Sequence, residues 1–210
     1  MQETTQNKSF RIPEVYSAGL MSQSFWFTEF KKTAKLRQDG LTYDEIKRTC
    51  VEENLFGAAK AYRAARMSGY LIARLKAMDD DLLALFCEAD MATQKLIYLI
   101  CVLSTDRLFF EFVYEVYREK VQIGAAYLED SDINAFFTRK EAQNDLIASW
   151  KDSTKKHLRA NYSNFMREAN LLTAEDGQKR ITPPILDTRL EEYLKAAHAE
   201  AFIRALTGVN

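Results

Sequence analysis

The sequence predicts an all-α fold, a multi-helix globular bundle, and three observations carry that prediction. Only 7 Gly and 3 Pro punctuate 210 residues, while the strong helix formers Ala, Leu, Glu, Lys and Arg are abundant. Apolar residues recur at helical spacing along most of the chain. Helix starts are marked by side chains able to accept from the first free backbone N–H groups.

Each element follows in order. Met1 to Arg11 is polar, lacks the apolar segment of a signal peptide, and begins an N-terminal arm over 1–21. Ser22 precedes an apolar pattern at Phe25, Phe27, Phe30, Ala34 and Leu36 that stops at Asp39-Gly40. Thr42 and Glu45 form a capping box, in which each side chain satisfies the other's backbone donor. A long helix is expected over 57–78, and Asp79-Asp80-Asp81 then place negative charge at the next helix N-terminus. Asp90 and Asp106 read as N-caps of two more helices. The apolar run Leu96 to Leu103 is far short of the roughly 20 residues that span a membrane, so it is a core helix. The helix over 107–121 is apolar around nearly its whole circumference, which marks a central bundle helix. Asp130-Ser131-Asp132 opens a helix through Lys140, a short helix follows over 145–150, and 149–169 is one helix ending before Asn170, an αL cap. The chain divides into a helical core region, 22–130, and a helical C-terminal region, 131–210, packed on it as one compact unit.

One region departs from the pattern. Asp176-Gly177 lies between short apolar segments, a hairpin signal, so 171–186 carries one small β-hairpin. Pro183-Pro184 directly after it allow only a short second strand. Helix, short helix, helix and hairpin in this order match a winged helix-turn-helix, with Lys179 and Arg180 at the tip or on the second strand. A plain helical layer followed by an irregular loop is the alternative. Asp187 caps the helices that run on to the C-terminus.

The net charge of −1 hides an asymmetry: 11 Lys or Arg against 6 Asp or Glu over 22–78, 4 against 11 over 79–130, and 7 against 5 over 131–171. Positive charge gathered on one face permits nucleic-acid binding at neutral net charge. On the 57–78 helix, Ala61, Ala65, Ser68, Ile72 and Leu75 form the expected buried side. Lys60, Arg63, Arg66, Tyr70 and Arg74 fall within about 120° on the other. On the 149–169 helix Leu158, Tyr162, Phe165 and Ala169 face inward. Ser153, Lys156, Ala160, Asn164 and Arg167 face outward, with Lys155 and Arg159 at the edges. Short polar and basic side chains around an alanine suit a helix entering a major groove. A solvated face that only keeps each helix in water explains the same residues.

Catalytic signatures are missing. There is no GxGxxG, GxxxxGK[ST], GxSxG or HExxH, and neither His157 nor His198 has a ligand-like neighbour. Glu111 and Glu115 have no His nearby and Arg118 within reach, so they read as solvated or salt-bridged carboxylates and not as metal ligands. Cys50, Cys87 and Cys101 form no CxxC pair and read as reduced thiols near a core, which fits the cytoplasm. No cofactor, metal or small-molecule substrate is expected, and the chain reads as a binding protein.

Several strings together resemble one family. They are Tyr16-Ser17-Ala18-Gly19-Leu20, Glu53-Asn54-Leu55-Phe56, the run from Asp106 to Val116, Asp132-Ile133-Asn134-Ala135-Phe136-Phe137, Trp150 with Thr154, and Ile181-Thr182-Pro183-Pro184-Ile185-Leu186-Asp187. Their order and spacing are similar to the BrxA family of bacteriophage exclusion (BREX) systems, from about Tyr16 to Leu206. The resemblance implies a helical, non-enzymatic component of a multi-protein system that methylates host DNA and blocks phage DNA replication, with other BREX proteins as partners. The methyltransferase and ATPase chemistry would belong to those partners. The family supplies no functional residues to carry over, so the expected contacts with duplex DNA rest on the basic faces. A protein–protein adaptor without nucleic-acid contact and an RNA-binding helical domain stand as alternatives.

Overall fold

The computed structural model describes residues 10–209, so the first nine residues of the expected arm lie outside the described residues. Among the described residues the chain is mostly helical with one two-stranded antiparallel hairpin, as the sequence predicts. It forms two compact units, one of Trp26–Thr105 with Phe10 and Arg11, the other of Ile12–Phe25 with Asp106 onward.

The first unit holds α1 (Phe27–Gln38), α2 (Tyr43–Glu52), α3 (Ala61–Leu75), α4 (Asp80–Glu88) and α5 (Met91–Leu103). Its caps are those expected. Thr42 and Glu45 form the reciprocal box at α2, Asp79 accepts from Leu82 N–H at α4, and Asp90 accepts from Thr93 N–H at α5. The expected start of α1 near Ser22 is displaced to Phe27, because Gly19–Ser22 closes as a 3-10 turn and Trp26 takes left-handed φ of 49°. α5 is buried from Leu96 to Leu103. Phe30 stacks on Tyr98 with ring centroids 4.2 Å apart and meets Phe86 edge-on at 5.3 Å. All three rings lie in the interior of this unit.

In the second unit the expected continuous helix over 107–121 is interrupted. It runs as α6 (Arg107–Phe112), a π turn (Val113–Tyr117) and α7 (Arg118–Gln122). The extra residue of a π turn shifts the helical register by about 100°, and Leu108, Phe109, Phe112, Val113, Val116 and Tyr117 are all buried. Then come α8 (Asp130–Gln143), α9 (Asp145–Ala148), α10 (Asp152–Glu168), strands β1 (Leu172–Glu175) and β2 (Gln178–Ile181), α11 (Thr188–Ala196) and α12 (Glu200–Thr207). Asp176 and Gly177 both have positive φ at the hairpin turn, and Asn170 is αL after α10. Gly208 caps α12 in the left-handed region, and a Cβ there would lie 2.6 Å from Val121.

Glu111 and Glu115 are salt-bridged, as expected, but to Lys140 and not to Arg118. The Lys140 ammonium on α8 lies 2.6 Å from each carboxylate. Glu111 also accepts from Arg107, at 2.7 Å, and from Tyr16, at 2.9 Å. Burial alone would push the Glu111 carboxyl up, but hydrogen bonds from Lys140, Arg107 and Tyr16 outweigh it and hold it below the usual range. Burial opposes the Lys140 charge as well, and the bonds to Glu111 and Glu115 outweigh it and raise that group. A lowered carboxyl contributes stability above its ordinary value, and loses it as pH falls through the folded value. A raised ammonium contributes below its ordinary value, and loses it as pH rises through the folded one.

Two expectations follow. Lys140→Ala leaves two carboxylates without their shared cation, so urea unfolding should show a loss on the order of 3 kcal/mol. The deficit against wild type should be largest between the ordinary values of 4.5 for Glu and 10.5 for Lys and should shrink on the acid side. Tyr162 is fully buried against Phe109, at 4.5 Å, and Phe112, at 5.6 Å, and its hydroxyl has no hydrogen-bond partner among the described residues. Tyr162→Phe should therefore leave stability unchanged or raise it by up to about 1 kcal/mol; a clear loss in the same titration would refute that assignment.

Candidate nucleic-acid interface

α10 forms because its apolar residues share one side. Leu158, Tyr162, Phe165 and Ala169 are buried, as predicted, while Ser153, Lys156, Ala160, Asn164 and Arg167 are exposed. Asn161, between the two sides, donates to Leu20 O at 2.7 Å and to Gln23 O at 3.1 Å. That side chain holds the arm 12–25 on α10. α8 and β1 pack on the same helix.

The hairpin is fixed from both sides. β1 pairs with β2 in the register Leu172 to Ile181. On the other edge of β2, Leu128 N–H donates to Lys179 O and Ile181 N–H donates to Ala126 O, both at 2.9 Å. Tyr127 forms a bridge with Arg180, and its hydroxyl donates to Glu175 at 3.0 Å. The strip 126–128 thus covers an edge that would otherwise offer free backbone groups.

Between α10, the start of α8 and the hairpin lies a groove of about 820 Å³. Lys156, Arg159, Asn164 and Arg167 of α10 and Lys179 of β2 line it. Five of the sequence-predicted site residues therefore meet in one place. Ile133, Ala160 and Leu172 are among its apolar lining, and Ser163, Thr173 and Gln178 add polar groups. Sequence reading did not single out Ser163, Thr173 and Gln178, because neutral polar residues carry no charge signal and only the fold sets them beside the cations. Arg167 donates to Asn164 at 2.9 Å. Lys179 pairs with Asp130 at 2.6 Å, so one end of the groove carries a carboxylate.

Other predicted residues fall elsewhere. Lys155 was expected at the edge of the outward face but is buried, with its ammonium 2.9 Å from Glu141 and 3.3 Å from Asp152. The Glu141 hydrogen bond holds that group above its ordinary value. Arg159, which does line the groove, is half-buried there over the Phe137 ring, 4.9 Å away, and lies 3.7 Å from Glu141. Ser153 is exposed outside the groove, and Arg180, next along β2, points away from it and pairs with Glu175 at 2.7 Å.

The basic residues of α3 belong to the first unit. Lys60, Arg63 and Arg66 are exposed and Tyr70 is half-buried. Arg74 corrects the expectation of a fifth outward member: it is 2% exposed, donates to the Tyr98 hydroxyl and lies 6.0 Å from the Trp26 ring centroid. The buried side of α3 is Ala64, Ser68, Leu71, Ile72 and Leu75, with Arg74 at its margin. Ala61 is exposed and Ala65 only half-buried, so the inward face is rotated from the one predicted through them. Among the described residues no helix is long and apolar enough to cross a membrane.

Comparison with known proteins shows the fold and the family. A crystal structure of an uncharacterized protein from Magnetospirillum magneticum has the same fold, with a TM-score of 0.78 at 18% identity over 92% of this chain and 99% of that one. A Bacillus cereus protein named "BREX protein BrxA" is 33% identical over 195 residues, 93% of this chain and 98% of the relative. The family model described as BrxA matches residues 14–198. The chain belongs to the BrxA family.

Proposed function

We propose that this protein is a non-catalytic component of a BREX anti-phage system that contacts duplex DNA through α10 and the hairpin. The observation that carries the reading is the groove in which Lys156, Arg159, Asn164, Arg167 and Lys179 converge. The order α8, α9, α10, β1, β2 is that of a winged helix-turn-helix, in which a recognition helix and a wing hold adjacent parts of a duplex. α10 offers short or flexible polar side chains around Ala160, so its backbone can approach base edges. The cations supply the sequence-independent phosphate attraction that dominates such binding. On this reading the contact would serve the DNA modification and exclusion machinery of the cytoplasm, with other BREX proteins as partners, and membership of the BrxA family supports it.

A second reading has its own observation. Lys179 already pairs with Asp130, and Lys155 and Arg159 already lie against Glu141, as on a surface whose charges are balanced for a protein partner. An adaptor of that kind would co-purify with other BREX proteins after charge reversal of the groove.

A gel-shift titration on a 50-mer duplex separates the two. Wild-type protein should shift the duplex at low salt, and the double variant Lys156→Glu, Arg167→Glu should weaken it by about 100-fold or more. No shift at low salt, or a shift that survives the double reversal, refutes the duplex reading. Lys155→Met should change duplex affinity by less than about twofold, because its ammonium is already engaged by Glu141 and Asp152. A loss matching that of Lys156→Glu would place Lys155 in the contact surface instead.

A further inference from the structure

The exposed side of α3 is of a different kind from the groove. From Asn54 to Met78 the sequence contains no Asp or Glu, and among the described residues neither Lys60 nor Arg63 forms an ion pair with a carboxylate. The cations here alternate with aromatic rings. Tyr62 is 66% exposed, with the Arg63 guanidinium 6.0 Å from its ring centroid. Eight residues on, Tyr70 carries the Arg66 guanidinium at 5.7 Å, and Trp26 stacks against Tyr70 with centroids 6.2 Å apart. Trp26 reaches that position from left-handed backbone, a conformation that costs a bulky residue energy and is retained where the surroundings enforce it.

We propose that this face is a stacking platform for single-stranded nucleic acid, separate from the groove of the other unit. Bases in a duplex are stacked on one another and offer an exposed tyrosine only their edges and phosphates. An unpaired base offers a flat face, and stacking on an aromatic side chain is tolerant of its identity. Tyr62 and Tyr70 are about 12 Å apart along the axis at 1.5 Å per residue, room for a short run of nucleotides. Lys60, Arg63 and Arg66 take the phosphates between and beside the stacked bases. An acidic peptide would use the same cations and leave the rings unused, so the rings decide between these occupants.

The test is a fluorescence-anisotropy titration of the 210-residue chain with dT20, rU20 and a 20-base-pair duplex. The single strands should bind with a log–log salt slope of about −2, as three phosphate contacts give at roughly −0.7 each. Tyr62→Ala should weaken single-strand binding about tenfold and leave duplex binding unchanged, and Tyr62→Phe should retain it. Arg63→Ala with Arg66→Ala should bring the slope toward −1 or shallower. Preference between dT20 and rU20 identifies whether DNA or RNA is the natural strand. Absence of single-strand binding at low salt, or binding unaffected by Tyr62→Ala, overturns the proposal. So does single-strand binding abolished by Lys156→Glu with Arg167→Glu, since that locates it in the groove. Loss of the duplex reading alone leaves this one standing if Tyr62 still governs dT20 or rU20.

Discussion

The second unit depends on one ammonium group. Lys140 sits between Glu111 and Glu115 at 2.6 Å from each, with its side chain 8% exposed. A cation in that position costs several kcal/mol of lost hydration unless its geometry is good and its remaining donors are met. Here the partners come from α6 and the π turn, while Lys140 comes from α8. Glu111 is further claimed by Arg107 and by Tyr16 of the arm, and Arg107 stacks on the Tyr16 ring at 4.4 Å. The arm, α6 and α8 are therefore registered by a single connected set of charges. The surrounding aromatic contacts (Phe112 on Phe136, Phe136 on Phe137) supply the burial but far less directionality.

That registration reaches the groove through one residue. Glu141 follows Lys140 on α8 and engages Lys155 and Arg159 of α10. Successive helix positions are about 100° apart, so α8 turns one charge toward α6 and the next toward α10. The α8–α10 contact is thereby tied on one side of the groove, and the 126–128 strip clamps β2 on the other. Cations held in place cost less to align on a ligand than flexible ones, which favours the duplex reading proposed above.

How much of this was legible in the sequence follows from which signals are local. Caps are local: Thr42 with Glu45, Asp79, Asp90, Asp106, Asp187, and the Asn170 and Asp176-Gly177 turns all occupy the places the residues announce. The inward side of α10 was legible for the same reason, since apolar spacing alone fixes it. The π turn at Val113–Tyr117 was not, because a helix apolar nearly all round shows no register from which a shift could be noticed. Arg74 looked like a solvated cation since charge is taken as a sign of exposure; the aromatic rings of Trp26, before α1, and Tyr98, on α5, lie against its guanidinium in the interior. Lys155 misled in the same way, through Glu141 on another helix. The strip 126–128 is too short to carry a strand period, and the neutral members of the groove had no signal of their own.

The two basic regions differ in what the rest of the chain does to their charge, and that difference bears on what each can bind. Asp130 lines the groove and pairs with Lys179, and Glu141, outside its lining, engages Lys155 and the groove residue Arg159. A polyanion entering there must displace or repel those carboxylates, so part of its Coulombic gain is spent against them. Lys156 and Arg167, which have no carboxylate at ion-pair distance among the described residues, then dominate the attraction and its salt dependence. The α3 face has no Asp or Glu in its own stretch from Asn54 to Met78. Exposed charge pairs in water are worth little individually, so affinity on that face must come from the rings. On the two proposals above, four cations lining the groove (Lys156, Arg159, Arg167 and Lys179) serve a shape-dependent contact, and three on the α3 face (Lys60, Arg63 and Arg66) serve a stacking-dependent one, a difference that net charge alone does not carry.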